Sequence, residues 1–182
     1  MRQYWTNAVL ALIALTAGQP LQACLISVPL KLEDIQYADL VVTGRISGYR
    51  IIPDMEARRR QQELPPRLRQ YLTNQDSFLG DYARFDIVVD EVWLGNAPKA
   101  LTVTWQNSTF ALPSTMPEGR YLFGLRNPKS QAPPLRGPSA VFMPNPAPEF
   151  LALLQAPCAA PFMFEIDSDR AAAIRQILSK SE

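Results

Sequence analysis

Short runs of strict alternation between apolar and polar residues dominate this chain. In Leu40-Val-Val-Thr-Gly-Arg-Ile-Ser47, Leu40, Val42, Gly44 and Ile46 share one face while Thr43, Arg45 and Ser47 take the other, which predicts a strand. Gly44 falls on the apolar face, where a missing side chain predicts a bend or a close backbone approach of the kind small barrels need. Arg84–Trp93 repeats the pattern, with Phe85, Ile87, Val89 and Trp93 set against Arg84, Asp86 and Asp90. Leu101, Val103 and Trp105 are expected inward with Thr102 and Thr104 outward, and Tyr121, Phe123 and Leu125 form one face of a further strand. Gly95-Asn96 and Pro117-Glu118-Gly119 supply turns between these runs. Ala140–Met143 predicts an edge strand and Phe162–Ile166 a final one.

Helical spacing is confined to short segments. Leu32–Tyr37 reads as a helical turn, and Asn145-Pro146 as the N-cap and first position of a short helix over Phe150–Leu154. Asp167 or Ser168 is expected to cap a C-terminal helix whose Ala171, Ile174, Ile177 and Leu178 form one apolar stripe. Residues 53–80 interrupt the strand pattern with Met55–Gln62 and Arg67–Leu72, two short surface helices separated by Pro65-Pro66. Five or six short strands with small peripheral helices predict a mainly β domain, a small barrel or a sandwich. The 17 prolines agree, since they disfavour long central helices.

The beginning of the chain bears on compartment. Arg2, the apolar run Ala8–Ala17, the break at Gly18-Gln19-Pro20 and the small residue Ala23 have the parts of a secretory signal, so residues 1–23 are expected to be removed and 24–182 to form one domain. The run spans only about half of the roughly 20 residues that a transmembrane helix takes, and no later stretch is long and apolar enough. Leu21-Gln22-Ala23-Cys24 also resembles a bacterial lipobox, which would make Cys24 the site of a lipid anchor.

Charge and cysteine content narrow the chemistry. The formal charge is +1 and Arg2 is the leader's only charged side chain, so the mature chain is near neutral, which disfavours nucleic acid as a partner. An exported protein with two cysteines, Cys24 and Cys158, is expected to join them in a disulfide. Lipidation of Cys24 would use the same sulfur, and Cys158 as a plain buried apolar residue is the other alternative.

The chain has no histidine, which removes Ser-His and Cys-His nucleophile pairs and imidazole metal sites together. No Ser-x-x-Lys, Gly-x-Ser-x-Gly, Gly-x-Gly-x-x-Gly or phosphate loop occurs, so neither a catalytic residue nor a cofactor is assigned. Asp86 and Asp90 lie some 13 Å apart along an extended strand, wider than a glycosidase pair. Asn107-Ser-Thr109 matches an N-glycosylation pattern that has meaning only in a eukaryotic source.

A cysteine at the mature N-terminus is followed by Ala38–Arg45, Phe85–Gly95, Leu101–Trp105, Glu118–Phe123 and a late cysteine. This order resembles the bacterial proteins related to the netrin-like module, which includes the N-terminal domain of tissue inhibitors of metalloproteinases. The resemblance covers most of residues 24–166 and implies a five-stranded OB-type barrel whose N-terminus is tied down by a disulfide. In the inhibitor branch the N-terminal cysteine chelates the target's zinc, a role open here only to Cys24. Ile26 stands where those inhibitors carry a second cysteine.

The function expected from these features is that of an exported, non-enzymatic binding or structural protein of the bacterial periplasm or envelope, with an unidentified protein or envelope component as partner. A lipoprotein acylated at Cys24, a protease-inhibitor-like protein and a carboxylate hydrolase are the alternatives. Arg58, Arg59, Arg60, Arg67 and Arg69 make the insertion basic and mark it as a candidate partner-binding surface, beside the Pro-rich 127–148 segment and the end near Cys24.

Overall fold

A computed structural model of the chain describes residues 28–72, 80–106, 112–136, 145 and 147–180. Its strands are β1 (Leu40–Ile52), β2 (Tyr82–Leu94), β3 (Ala100–Gln106), β4 (Arg120–Arg126), β5 (Leu151–Leu153) and β6 (Met163–Glu165). A 3-10 turn covers Leu32–Tyr37, and the helices are α1 (Met55–Glu63), α2 (Pro66–Leu72) and α3 (Asp169–Ser179). The sheet runs β1-β2-β3-β5-β4 and closes through pairing of β4 with β1, giving a five-stranded OB-type barrel with β6 as an additional strand on β4. Among the described strands β3 and β5 pair in parallel, which requires the intervening chain to cross over.

Closure demands sharp curvature, and β1 and β2 provide it through register slips. Against β1, the ladder skips Trp93 between Val41 and Val42 and Asp90 between Thr43 and Gly44. A further slip between Ser47 and Arg50 coincides with Gly48 at φ +63°, a conformation that favours glycine. Gly44 is the close approach expected from its place in the strand: an added Cβ would lie 2.3 Å from the Val88 carbonyl oxygen and 2.8 Å from Ile87 Cγ2.

The barrel interior is filled by Val42, Phe85, Ile87, Val103, Phe123 and Leu125, all at most 1 % exposed. A second core lies against the outer face of the wall, where Val41 and Leu122 pack with Ile35 of the 3-10 turn, Phe162, and Ala171 and Ile174 of α3. Alternation placed Thr43 opposite the apolar face of β1, and on that face too Thr43 is fully buried. The reason is that α3 and the 3-10 turn must bury their own apolar stripes, and the wall is the surface they meet. Helix α3 begins as expected, with the Ser168 hydroxyl accepting from the Ala171 N–H.

Two expectations are overturned. Trp93 does not share the face of Phe85, Ile87 and Val89: those three belong to the barrel interior, while Trp93 packs on the second core. The skipped positions at Asp90 and Trp93 shift the alternation, so the period of two no longer predicts the face beyond Val89. Phe150–Leu154 is not a helix, because Leu151–Leu153 forms β5 between β3 and β4. Asn145 instead accepts from the Ala147 N–H at 3.0 Å in a local turn, and the segment's backbone groups go to the sheet, where the open edges of two strands outbid a short helix. The predicted edge strand Ala140–Met143 lies outside the described residues.

Candidate partner-binding insertion and N-terminal tether

The helical insertion joins β1 to β2 and begins at Asp54, whose carboxylate caps α1 by accepting from the Ala57 N–H at 2.9 Å. No residue of α1 is buried. What fastens the insertion is Asp81, 8 % exposed, just before β2. Its Oδ1 accepts from the Asp54 backbone N–H and from Arg58 Nε, both at 3.1 Å, and its Oδ2 accepts from Arg58 Nη2. The hydrogen bond to Asp81 raises the Arg58 pKa further above its ordinary value, outweighing the opposing effect of burial. Asp81 therefore clamps the start of the insertion to its end.

This clamp divides arginines that sequence alone groups together. Arg58 is committed to Asp81, Arg60 pairs with Glu56 one turn back, and Arg69 Nε donates to the Leu64 carbonyl at 3.1 Å. Arg59 and Arg67 are exposed, and beside them Met55 and Leu68 stand 71 % and 53 % exposed. Asp81 escaped the reading of the sequence, although an acidic residue at the far end of a basic insertion was the available signal. Arg58→Ala should cost about 1–2 kcal/mol in chemical denaturation by stripping a nearly buried carboxylate of its charged donor. Arg59→Ala should change stability by less than about 0.5 kcal/mol in the same measurement.

Asp86 and Asp90, the carboxylates weighed for catalysis, have separate partners. Asp86 accepts from the Thr102 hydroxyl at 2.6 Å, whereas Asp90 lies between Arg45 at 3.2 Å and Arg120 at 2.8 Å. The Pro-rich connection is fastened at both described ends. Asp39 accepts from the Asn127 N–H and the Ser130 hydroxyl, both at 2.7 Å, while the Phe150 ring lies 5.7 Å from the Arg84 guanidinium. Thr104, which alternation placed outward, is fully buried under this connection and donates to the Leu151 carbonyl at 3.3 Å.

At the other side of the barrel the start of the described chain meets the late cysteine. The Val28 N–H donates to the Cys158 carbonyl at 2.9 Å, and Val28 bridges Ala159 in parallel. Cys158 is fully buried with φ +66°, and no free cysteine occurs among the described residues. Cys24, the leader and the Asn107-Ser-Thr109 motif lie outside the described residues. No family profile, curated protein or solved structure matches this chain. Among the described residues, no group of three or more Cys, Asp or Glu side chains is placed to hold a metal ion, and no helix is long and apolar enough to cross a membrane.

Tyr49, on the part of β1 that leads to the insertion, donates to the Pro113 carbonyl at 2.7 Å and packs on Phe85. Burial pushes its phenol up from 10.0 to about 12. A folded pKa above the unfolded one means that this residue's contribution to stability is complete below pH 10.0 and is lost as pH rises through about 12. Tyrosinate absorbance should therefore show a late-ionising tyrosine near pH 12 that Tyr49→Phe removes, and a titration unchanged by the substitution would contradict the burial.

Proposed function

We propose that this chain is an exported, non-enzymatic binding module of the bacterial cell envelope, built on a netrin-like barrel whose mature N-terminus is tied to the domain by a Cys24–Cys158 disulfide. The observation that carries this reading is the docking of Val28, four residues after Cys24, on the backbone of Cys158 and Ala159. A few residues of extended chain reach roughly 3.3 Å each, so the segment from Val28 back to Cys24 is long enough to return to the Cys158 sulfur. Cys158 is fully buried beside this segment, and Cys24 is the other cysteine of the chain, which supports the pairing.

The placement of the connections supports binding at the insertion. OB-type barrels present ligands to the face of the second and third strands, flanked by the loops between strands one and two and between strands four and five. Here those loops are the basic insertion between β1 and β2 and the Pro-rich connection between β4 and β5. Besides Arg58 in the clamp, Arg60 on Glu56 and Arg69 on the Leu64 carbonyl, the first of them carries the exposed Arg59 and Arg67, which are the arginines proposed to meet a partner.

The test is the intact mass of the product exported from a bacterial host, taken with and without reduction. The expected mass begins at Cys24 and gains two hydrogens on reduction. An uncleaved chain would overturn export, and an acyl addition would replace the disulfide-tethered module with a lipid-anchored one. Capture from an envelope extract completes the test: Arg59→Ala/Arg67→Ala should lose the bound component while keeping the wild-type melting temperature, and unchanged capture would remove the insertion as the binding surface.

A further inference from the structure

We infer that the insertion is an interfacial arm that docks on an anionic lipid bilayer, with Arg59 and Arg67 on the phosphates and Met55 and Leu68 in the headgroup region. This rests on the reading of the chain as an exported binding module and names the partner of its insertion.

The first observation is energetic. Helices α1 and α2 have nine and seven residues, and α1 buries none of its side chains. Helices this short are marginal in water unless a face is covered, and here the Asp81 clamp secures only the first turn of α1. A surface that covers the arm would supply the missing stabilisation.

The second observation is the composition of the exposed side. Between Met55 and Leu72 five arginines face two glutamates, and with Asp81 taking Arg58 and Glu56 taking Arg60, a local positive excess is left on the exposed Arg59 and Arg67. Met55 lies one turn from Arg59, so the two share a side of α1, and Leu68 sits between Arg67 and Arg69. Apolar side chains 71 % and 53 % exposed among arginines match the mixed chemistry of a bilayer interface, where alkyl groups sink and guanidinium groups stay with phosphate. Arginine also suits phosphate, since its planar fork donates two parallel hydrogen bonds.

The experiment is co-sedimentation of the purified exported protein with vesicles of phosphatidylglycerol and phosphatidylcholine, against vesicles of phosphatidylcholine alone. Binding is expected only to the anionic vesicles and should weaken as salt rises. Each arginine near such a surface contributes about fivefold, so Arg59→Ala/Arg67→Ala should lower the partition coefficient about 30-fold, and Arg59→Lys/Arg67→Lys should restore most of it. Met55→Ser/Leu68→Ser should also weaken binding at unchanged charge, with melting temperature confirming that both variants fold. Equal binding to both vesicle types, no binding, or full binding by the Arg59→Ala/Arg67→Ala or the Met55→Ser/Leu68→Ser variant would overturn the inference. Loss of vesicle binding together with capture of an acidic protein through Arg59 and Arg67 would overturn the lipid assignment while leaving the binding module intact. An uncleaved exported mass would instead remove the module reading itself.

Discussion

Gly44→Ala is expected to destabilise the protein by about 3 kcal/mol or more, a cost at the upper end for adding one methyl group to a packed interior. The new Cβ would lie 2.3 Å from the carbonyl oxygen of Val88, on the strand paired with β1. That obstacle is backbone, so relief requires β1 and β2 to separate where their register slips to close the barrel. Other glycines calibrate the effect. Gly119→Ala meets only the Tyr121 ring at 3.4 Å or beyond, so it should shift stability by less than about 0.5 kcal/mol. Gly48→Ala meets only ordinary contacts, Arg50 Nη1 at 3.7 Å and Asp86 Oδ2 at 3.8 Å, but has φ +63°, so its expected cost is the left-handed backbone penalty of roughly 1–2 kcal/mol. Urea denaturation of the three variants should rank them Gly44, Gly48, Gly119, and a Gly44→Ala midpoint equal to wild type would refute the close approach.

Reduction of the proposed Cys24–Cys158 bridge is expected to carry the second large effect. Joining these positions closes a loop of well over a hundred residues, for which the chain-entropy model gives about 4–5 kcal/mol, less any native strain. The tether acts mainly on the unfolded chain, and in the folded protein the described end of the segment is held by the Val28 N–H on the Cys158 carbonyl and the bridge of Val28 to Ala159. Reduced protein is therefore expected to keep its folded spectrum in dilute buffer while unfolding at a much lower urea concentration. Cys24→Ser should behave in the same way without reductant, because it leaves the buried Cys158 site unchanged in size. A midpoint that does not move on reduction would remove the tether from the proposed module.

Several elements were legible because their signals are local. The alternation in Leu101–Trp105 and Tyr121–Leu125 gave both strands their inward faces, and the stripe from Ala171 to Leu178 with Ser168 before it gave α3 and its cap. Other features depend on partners distant in sequence. The face of Trp93 follows from a ladder with β1 that skips two positions of β2, and β5 exists because β3 and β4 leave room for a strand between them. Neither has a trace in the residues concerned. The candidate site divides in the same way: five arginines announce a basic insertion, but the assignment of Arg58 to the clamp required knowing that Asp81 returns to the start of α1.

By itself the sequence determined the strands β1 to β4 and β6 and the short helices, though not β5, that β1 needs a glycine at position 44, and where the positive charge is concentrated. Those properties follow from side-chain period, backbone freedom and composition, which act over a few neighbouring residues. Tertiary structure decided the closure of β4 on β1, the burial of both faces of the wall and the separation of one structural arginine from the exposed ones. Those outcomes depend on which apolar surface each element finds to cover and which buried charge finds a donor, and both are settled only when distant segments meet.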